Sequence, residues 1–173
     1  SPEELRIPEI FEAFEIIKKA GKARNFGFSA HSDPAGAIRE ALKHDVYSAA
    51  MVAYNVGNAP WVDAALDEAK KADFGIIAMK TMSGGSMMGK RIDTTPEWIK
   101  TEMIPDMVRE TGIDPAELHQ YVYTLPVSTL VSGCTTLAEL EHNIGVLQNF
   151  FSRELKKGYP LFKISISIFY VRV

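Results

Sequence analysis

Residues 128–143 read Ser-Thr-Leu-Val-Ser-Gly-Cys-Thr-Thr-Leu-Ala-Glu-Leu-Glu-His-Asn, and their order is one that can seat an anion or phosphate. The apolar run 127–131 predicts a strand, and Ser132-Gly133 predicts a turn. Thr136 and Glu139 have the Thr-x-x-Glu spacing of a capping box at a helix start. Backbone N–H groups there lack intrahelical acceptors and carry partial positive charge. A strand that runs through small residues into such a helix start offers donors to a phosphate. The same order also describes an ordinary strand-to-helix connection, and geometry alone leaves both readings open. A second glycine-rich stretch, Gly84-Gly-Ser-Met-Met-Gly89-Lys90, has the glycine and lysine spacing of a P-loop. Arg91 stands where a Ser or Thr would hold Mg²⁺, and residues 92–96 read as loop where a helix is required. The stretch therefore reads as a glycine loop, with Met87 and Met88 as adaptable packing.

Other chemistry-bearing residues are scattered. His31, His44, His119 and His142 fall on separate elements without metal-ligand spacing, and no metal site is expected. His31 stands out because it follows a strand end between Ser29 and Ser32. Cys134 lies near the helix start, which can lower a thiol pKa, but no histidine is local to it and it reads as a packing residue. No Gly-x-Gly-x-x-Gly fingerprint of a Rossmann dinucleotide site is present.

The elements that must position these residues alternate. Ile7, Ile10, Phe11, Phe14 and Ile17 recur at helical spacing. Residues 25–31 form a short strand, and Asp33-Pro34 caps the next helix, with Ala37, Ile38, Ala41 and Leu42 inward. Residues 46–54 are a second strand. A helix from about residue 60 carries Trp61, Val62, Ala65, Leu66 and Ala69 on one face. Residues 74–79 are a third strand with little polar alternation, which predicts burial of both faces. Asp114-Pro115 caps a helix with Leu118, Tyr121, Val122 and Leu125 apolar. The fourth strand, 127–131, precedes a helix with Leu137, Leu140, Ile144 and Leu147 toward the core. Four strand–helix alternations predict an α/β domain with parallel strands and right-handed crossovers. The architecture is either a doubly wound open sheet or part of a TIM (βα)8 barrel, about half of one by strand count.

Bulk properties set the outer limits. The 173 residues fit one domain or part of a larger one, and 46% hydrophobic residues suffice for a core. A net charge of −3 supplies no basic footprint, so no nucleic-acid partner is expected. No apolar run is long enough to cross a bilayer, and no signal peptide is visible. The single cysteine excludes an internal disulfide and suits a reducing, cytoplasmic setting. Residues 163–169 alternate apolar and polar with period two, so residues 151–173 read as an atypical, strand-like tail after a domain over residues 1–150.

Taken together, four segments resemble the C-terminal half of an aldo-keto reductase. They are Lys18-Lys-Ala-Gly-Lys-Ala-Arg-Asn-Phe-Gly-Phe-Ser29-Ala-His31, Ala53-Tyr54-Asn55, Gly75-Ile-Ile-Ala-Met-Lys80 and Val131-Ser-Gly-Cys-Thr-Thr-Leu-Ala-Glu-Leu-Glu-His-Asn143. Gly-Phe-Ser-Ala-His with a later Ala-Met-Lys looks most like the bacterial-type branch that includes iron–sulfur members, whose cysteine clusters are absent here. The resemblance implies strands five to eight of a (βα)8 barrel that binds NADP or NAD in an extended pose. It also implies hydride transfer with a small carbonyl or alcohol substrate.

By this match Ser29 falls where the family contacts the nicotinamide carboxamide, with His31 close by. Met51 takes the place of a glutamine that meets the same amide, and Met79 that of a ring stacking on nicotinamide. Lys80, Met82 and Gly84 lie along the pyrophosphate path. Gly133, Cys134 and Thr135 align with the segment holding the adenosine phosphate, and Asn143 with an adenine-contacting asparagine. Glu139 stands where NADPH-preferring members carry an arginine, and its carboxylate would repel a 2′-phosphate. The family's catalytic Asp, Tyr, Lys and His lie on the first four strands, which precede residue 1. The match therefore assigns no catalytic residue here, and the chain taken alone is expected to be inactive by the family mechanism. The alternative is a non-catalytic remnant or assembly module with the same fold, forming a homo-oligomer through open sheet edges.

Overall fold

The computed structural model describes residues 1–83, 115–134 and 136–156. The Gly84–Lys90 match, Gly84 itself, Thr135 and residues 157–173 of the tail expected over 151–173 lie outside these, whereas residues 151–156 are not strand-like but continue the helix that begins at Leu137.

Local signals set the helix ends. In α1 (Pro8–Lys19) and α2 (Pro34–Ala41) proline sits in the first turn, where its missing N–H costs nothing. Asp33 caps α2 by accepting from Gly36 N at 2.9 Å. Helix α3 spans Ala59–Lys71, α4 spans Pro115–Tyr123 and α5 spans Leu137–Lys156. The capping box of α5 forms in both directions: Glu139 N donates to Thr136 Oγ1, and Thr136 N donates to Glu139 Oε2, each at 3.2 Å.

The strands are β1 (Phe26–Ala30), β2 (Tyr47–Ala53), β3 (Gly75–Met79) and β4 (Thr129–Leu130), all parallel and hydrogen-bonded in chain order β1-β2-β3-β4. A doubly wound sheet reverses its strand order at a switch point. This sheet does not, and so follows the barrel alternative.

One face of the sheet carries the core. Ala30, Ala50, Val52, Ile76, Ala78 and Leu130 pack with Ile38, Val62, Leu66, Val122, Leu147 and Phe150 of the helices. Val52, Ile38, Leu66 and Ile76 are fully buried, each contributing about 1.5–3 kcal/mol. Tyr54 is also fully buried there, and its hydroxyl donates to Asp63 of α3. Burial pushes the Tyr54 phenol pKa far up, with the Asp63 and Tyr121 hydrogen bonds adding to it.

The opposite face is less covered. Gly27 and Ser29 are exposed, while Ala49, Met51, Gly75 and Ile77 are half-buried. No residue of β3 is exposed: Ile76 and Ala78 are buried under the helices, and on the opposite side Met79 is buried while Gly75 and Ile77 are partly covered, so the expectation of burial on both faces holds in part. Two expected core residues also move outward. Trp61 is 69% exposed and Leu137 66% exposed. The buried stripe of α3 is Val62, Ala65, Leu66 and Ala69, which leaves Trp61 on its flank. In α5 the buried residues are Val146, Leu147 and Phe150, well past the first turn that carries Leu137.

At the other end of the sheet, Glu40 is buried among two cations and an imidazole. Arg6 Nε lies 2.8 Å from its Oε1, Lys43 Nζ 2.8 Å from its Oε2 and His44 Nε2 3.1 Å from its Oε1. The Arg6 hydrogen bond first, then that of Lys43, lowers the Glu40 carboxyl from 4.5 to about 2. A lowered carboxyl pKa stabilises the fold above the unfolded value, and the gain disappears as pH falls through the folded one. Glu40→Gln is therefore expected to be less stable than the parent at pH 7. The difference should close between about pH 4.5 and 2, as read from denaturation midpoints across pH.

Candidate functional site

Parallel strands bring their C-terminal ends to one edge of the sheet, and most of the candidate residues collect there. Neighbouring residues in parallel register share a face. Ser29 pairs with Met51, Met51 with Ile77 and Ile77 with Thr129, giving one row across all four strands. Met79 pairs with Ala53 one step further along. Ser29 presents an exposed hydroxyl, Met51 is half-buried and Met79 is buried. The Thr129 hydroxyl is buried without a hydrogen-bond partner among the described residues. Sequence reasoning passed over it as one polar residue in an apolar run.

Beyond the strand ends stand two nitrogen bases. His31 follows β1 and Lys80 follows β3. Burial first, then the positive charge of Lys80, lowers the His31 imidazole pKa. The shift disfavours the charged form of the imidazole.

The turn that carries Lys80 is bent. Lys80 has φ 58° and Ser83 has φ 50°, left-handed values that non-glycine residues seldom adopt. Two bonds hold the turn: Ser83 N donates to the Lys80 carbonyl at 2.8 Å, and buried Asn55 donates Nδ2 to the same carbonyl at 3.2 Å. Asn55 is itself fixed, because its Oδ1 accepts from Gly57 N at 2.8 Å and its N donates to Asn58 Oδ1 at 2.8 Å. Asn58 in turn ties back to the Ala53 carbonyl at 2.9 Å. The loop after β2 thus clamps the turn after β3, which holds Lys80 and half-buried Met82. Sequence reasoning quoted Asn55 but gave it no role, since its partner lies 25 residues away.

At the far edge, β4 leads through Ser132 and Gly133 to α5. Gly133 is exposed, and a Cβ added to it would meet nothing within 4 Å. Cys134 is buried. Glu139, through the capping box, already occupies the Thr136 N–H. An internal carboxylate therefore competes for the helix start that was read as an anion seat. Asn143, half-buried, donates Nδ2 to Ser132 Oγ at 3.0 Å. Ser132 also meets His119, a residue the sequence gave no reason to single out.

The structure therefore makes two groups of the candidate residues. Ser29, His31, Met51, Met79, Lys80 and Met82 gather over β1 to β3, and Gly133, Cys134, Glu139 and Asn143 over β4 and α5. Three strand spacings separate the outer members, about 14 Å at roughly 4.8 Å each. A ligand touching both groups must be extended. No group of three or more His, Cys, Asp or Glu able to hold a metal occurs among the described residues. No helix among them is long and apolar enough to cross a membrane.

A model of the aldo/keto reductase family matches residues 2–156. No curated protein matches the sequence significantly. Among solved structures, the holo form of the aldo-keto reductase AKR11C1 from Bacillus halodurans aligns with a TM-score of 0.59 at 18% identity. The alignment covers 83% of this chain and 51% of that one, so the chain spans about half the length of this structural relative. The likeness is one of fold, and the family match runs through all four strands and all five described helices: the chain belongs to the aldo/keto reductase family.

Proposed function

We propose that this chain is the cofactor-binding half of an NAD(P)-dependent aldo-keto reductase, with its strands corresponding to the fifth to eighth of the barrel. Members of the family bind nicotinamide dinucleotides and carbonyl substrates. The observation that carries the reading is the order of side chains along the C-terminal sheet edge. A hydroxyl and two thioethers come first, then a lysine on a clamped turn, then an open glycine and a half-buried amide. That is the order of demands made by a carboxamide-bearing ring, a pyrophosphate and an adenosine.

The residues present fit such a group. Ser29 can hydrogen-bond a carboxamide, and Met51 offers apolar surface to a flat ring. Buried Met79 backs that surface rather than lying open to it. Lys80 supplies charge to a pyrophosphate, and the empty space over Gly133 admits a phosphate near the start of α5. Bound nicotinamide would supply the hydride for reduction of a small carbonyl compound or accept it from an alcohol.

The chain's own residues bind and orient, and none is assigned to proton transfer. Tyr54 is sealed on the helix side against Asp63. Tyr47 is buried with its hydroxyl on the Leu5 carbonyl, and Tyr123 is buried with its phenol pushed up to about 12. None of these three can serve as a proton donor beside Ser29. Turnover is therefore expected to require residues beyond these, and the chain by itself to bind without reducing. A second reading keeps the fold without the cofactor: among the described strands β1 and β4 are the outer two, and pairing through them would give a homo-oligomer.

Titration of NADH fluorescence separates the two readings. Saturable binding is expected, weakened about three- to tenfold by Ser29→Ala or Asn143→Ala, the range for loss of one hydrogen bond. ADP-ribose, which lacks the nicotinamide, should lose affinity only in Asn143→Ala. An oligomer without dinucleotide affinity would favour the assembly reading.

A further inference from the structure

One buried imidazole joins the ends of β3 and β4. His119 of α4 is 3% exposed. Its Nδ1 lies 3.1 Å from Thr81 Oγ1, and its Nε2 lies 3.2 Å from Ser132 Oγ. Both hydroxyls belong to buried residues. Thr81 follows Lys80 in the clamped turn after β3, and Ser132 precedes Gly133 at the end of β4. Asn143 of α5 completes the cluster. Its Nδ2 donates to Ser132 Oγ at 3.0 Å, and its side chain also hydrogen-bonds the imidazole. Bonded through both nitrogens, the ring ties the turn that carries Lys80 to the turn that carries Gly133.

The cluster suits an uncharged ring. A neutral imidazole has one donor and one acceptor nitrogen. One of the two hydroxyls then accepts from the ring and the other donates to it. A protonated ring donates from both nitrogens, so the second hydroxyl must turn its own proton away inside a buried cluster. The added charge is also poorly placed. Thr81 and Ser132 meet the ring from the two turns and Asn143 meets it from α5, and all three are neutral. Burial foremost lowers the imidazole pKa. The Asn143 hydrogen bond opposes this, and repulsion from His142, also on α5, adds to the lowering. The folded-state value thus lies below the unfolded one near 6.5. Stability is full above about pH 6.5 and falls as the pH drops toward the folded value.

We propose that His119 is a positioning residue: the uncharged ring holds the β3 and β4 turns at the spacing that seats a dinucleotide, and a proton on the ring opens this bridge and releases the cofactor. This rests on the cofactor-binding reading. The sign of the effect sets it apart. Acid makes the whole protein more positive, and a proton on His31, which already feels the charge of Lys80, would attract a pyrophosphate. Such changes raise the affinity for an anionic ligand as pH falls. A bridge that fails on protonation lowers it instead.

Calorimetric titration of the full chain with ADP-ribose reads that sign, because this ligand spans the pyrophosphate and adenosine without the acid-labile dihydronicotinamide. Wild-type affinity is expected to hold between about pH 8 and 6.5. It should then fall about tenfold toward about pH 4.5, the equivalent of one pK unit between free and bound protein, with the circular dichroism spectrum unchanged. His119→Gln, whose amide does not titrate, should bind within about threefold of wild type at neutral pH and lose the acid decline. Ser132→Ala cuts the bridge at every pH and should bind about three- to tenfold more weakly throughout, the range for one lost hydrogen bond. In ¹⁵N spectra the His119 ring should titrate together with the amides of Lys80, Thr81, Ser132 and Gly133, and bound ADP-ribose should move that midpoint to lower pH. Should His119→Gln fail to fold, this wild-type shift decides alone. An affinity that is flat or rises toward acid, a decline that His119→Gln keeps or that tracks loss of the fold, or a midpoint that ADP-ribose leaves unmoved overturns the proposal and leaves the cofactor-binding reading standing. Absence of ADP-ribose binding at neutral pH overturns that reading and this inference with it.

Discussion

Gly27→Ala is expected to destabilise the protein by about 1–3 kcal/mol, the usual cost of forcing extra atoms into a packed contact. For a chain of this size that lowers the melting temperature by very roughly 2–10 °C. The new methyl carbon would sit 2.7 Å from the Ala49 carbonyl oxygen, closer than any real Cβ contact. That oxygen is backbone and cannot rotate away. Gly27 also lies at the irregularity of the β1–β2 ladder, where the register passes from Phe26 opposite Tyr47 to Gly27 opposite Ala49. The strand must move outward or slip, and it carries Ser29 and leads into His31. Cofactor affinity should therefore fall along with stability. Gly145→Ala is the control: it lies inside α5, a Cβ there meets nothing within 4 Å, and alanine should stabilise the helix by about 0.4–1 kcal/mol. Differential scanning calorimetry of both variants reads the two signs.

Glu139 gives the second large effect. Its carboxylate sits in the first turn of α5, held on the Thr136 N–H. A 2′-phosphate carries about −1.5 to −2 charges near neutral pH. Each unit-charge pair is worth about 1 kcal/mol at 4 Å in water, reduced further by salt at physiological strength. Glu139→Gln removes one negative charge and keeps the capping box, which accepts either residue. It should lower the ratio of NADPH to NADH dissociation constants by roughly fivefold, equivalent to about 1 kcal/mol. Glu139→Arg reverses the charge and should lower it by roughly thirtyfold, about 2 kcal/mol, at some cost to the cap. Wild type is accordingly expected to favour NADH. Parallel titrations at two ionic strengths check the electrostatic origin, because the shift should shrink as salt rises.

What could be read from the sequence follows from how far each determinant reaches along the chain. Caps are local. Asp33 bonds Gly36, and Thr136 and Glu139 bond each other, three residues apart in each case. These helix starts were legible in residue types alone. Strands rich in Ala, Val and Ile between turn residues were legible for the same reason, and their alternation with helices indicated a parallel sheet. The side each residue faces was less legible. Trp61 and Leu137 have core-type side chains but stand exposed in the first turns of their helices, which only the packed structure shows. The weaker covering of Met51 and Ile77 was hidden for a related reason, since an apolar run does not tell which face the helices take.

The candidate site divides along the same line. Ser29, Lys80 and Asn143 could be singled out because each sits in a recognisable segment. His119 was passed over as an isolated histidine, because its partners Thr81 and Ser132 lie 38 and 13 residues away. The Asn55 clamp on the Lys80 carbonyl spans 25 residues and was equally invisible. Both are connections made by the fold between elements that the sequence keeps apart.

The central claim is that an extended dinucleotide lies across the C-terminal ends of β1 to β4. Amide chemical-shift mapping of the full chain with NADH tests it most directly. The account predicts saturable shifts at Ser29, His31, Met51 and Lys80 together with Gly133 and Asn143, with the Arg6–Glu40 end of the sheet unmoved. Shifts confined to one of these two groups, or centred elsewhere, would contradict it, as would a spectrum that saturating NADH leaves unchanged.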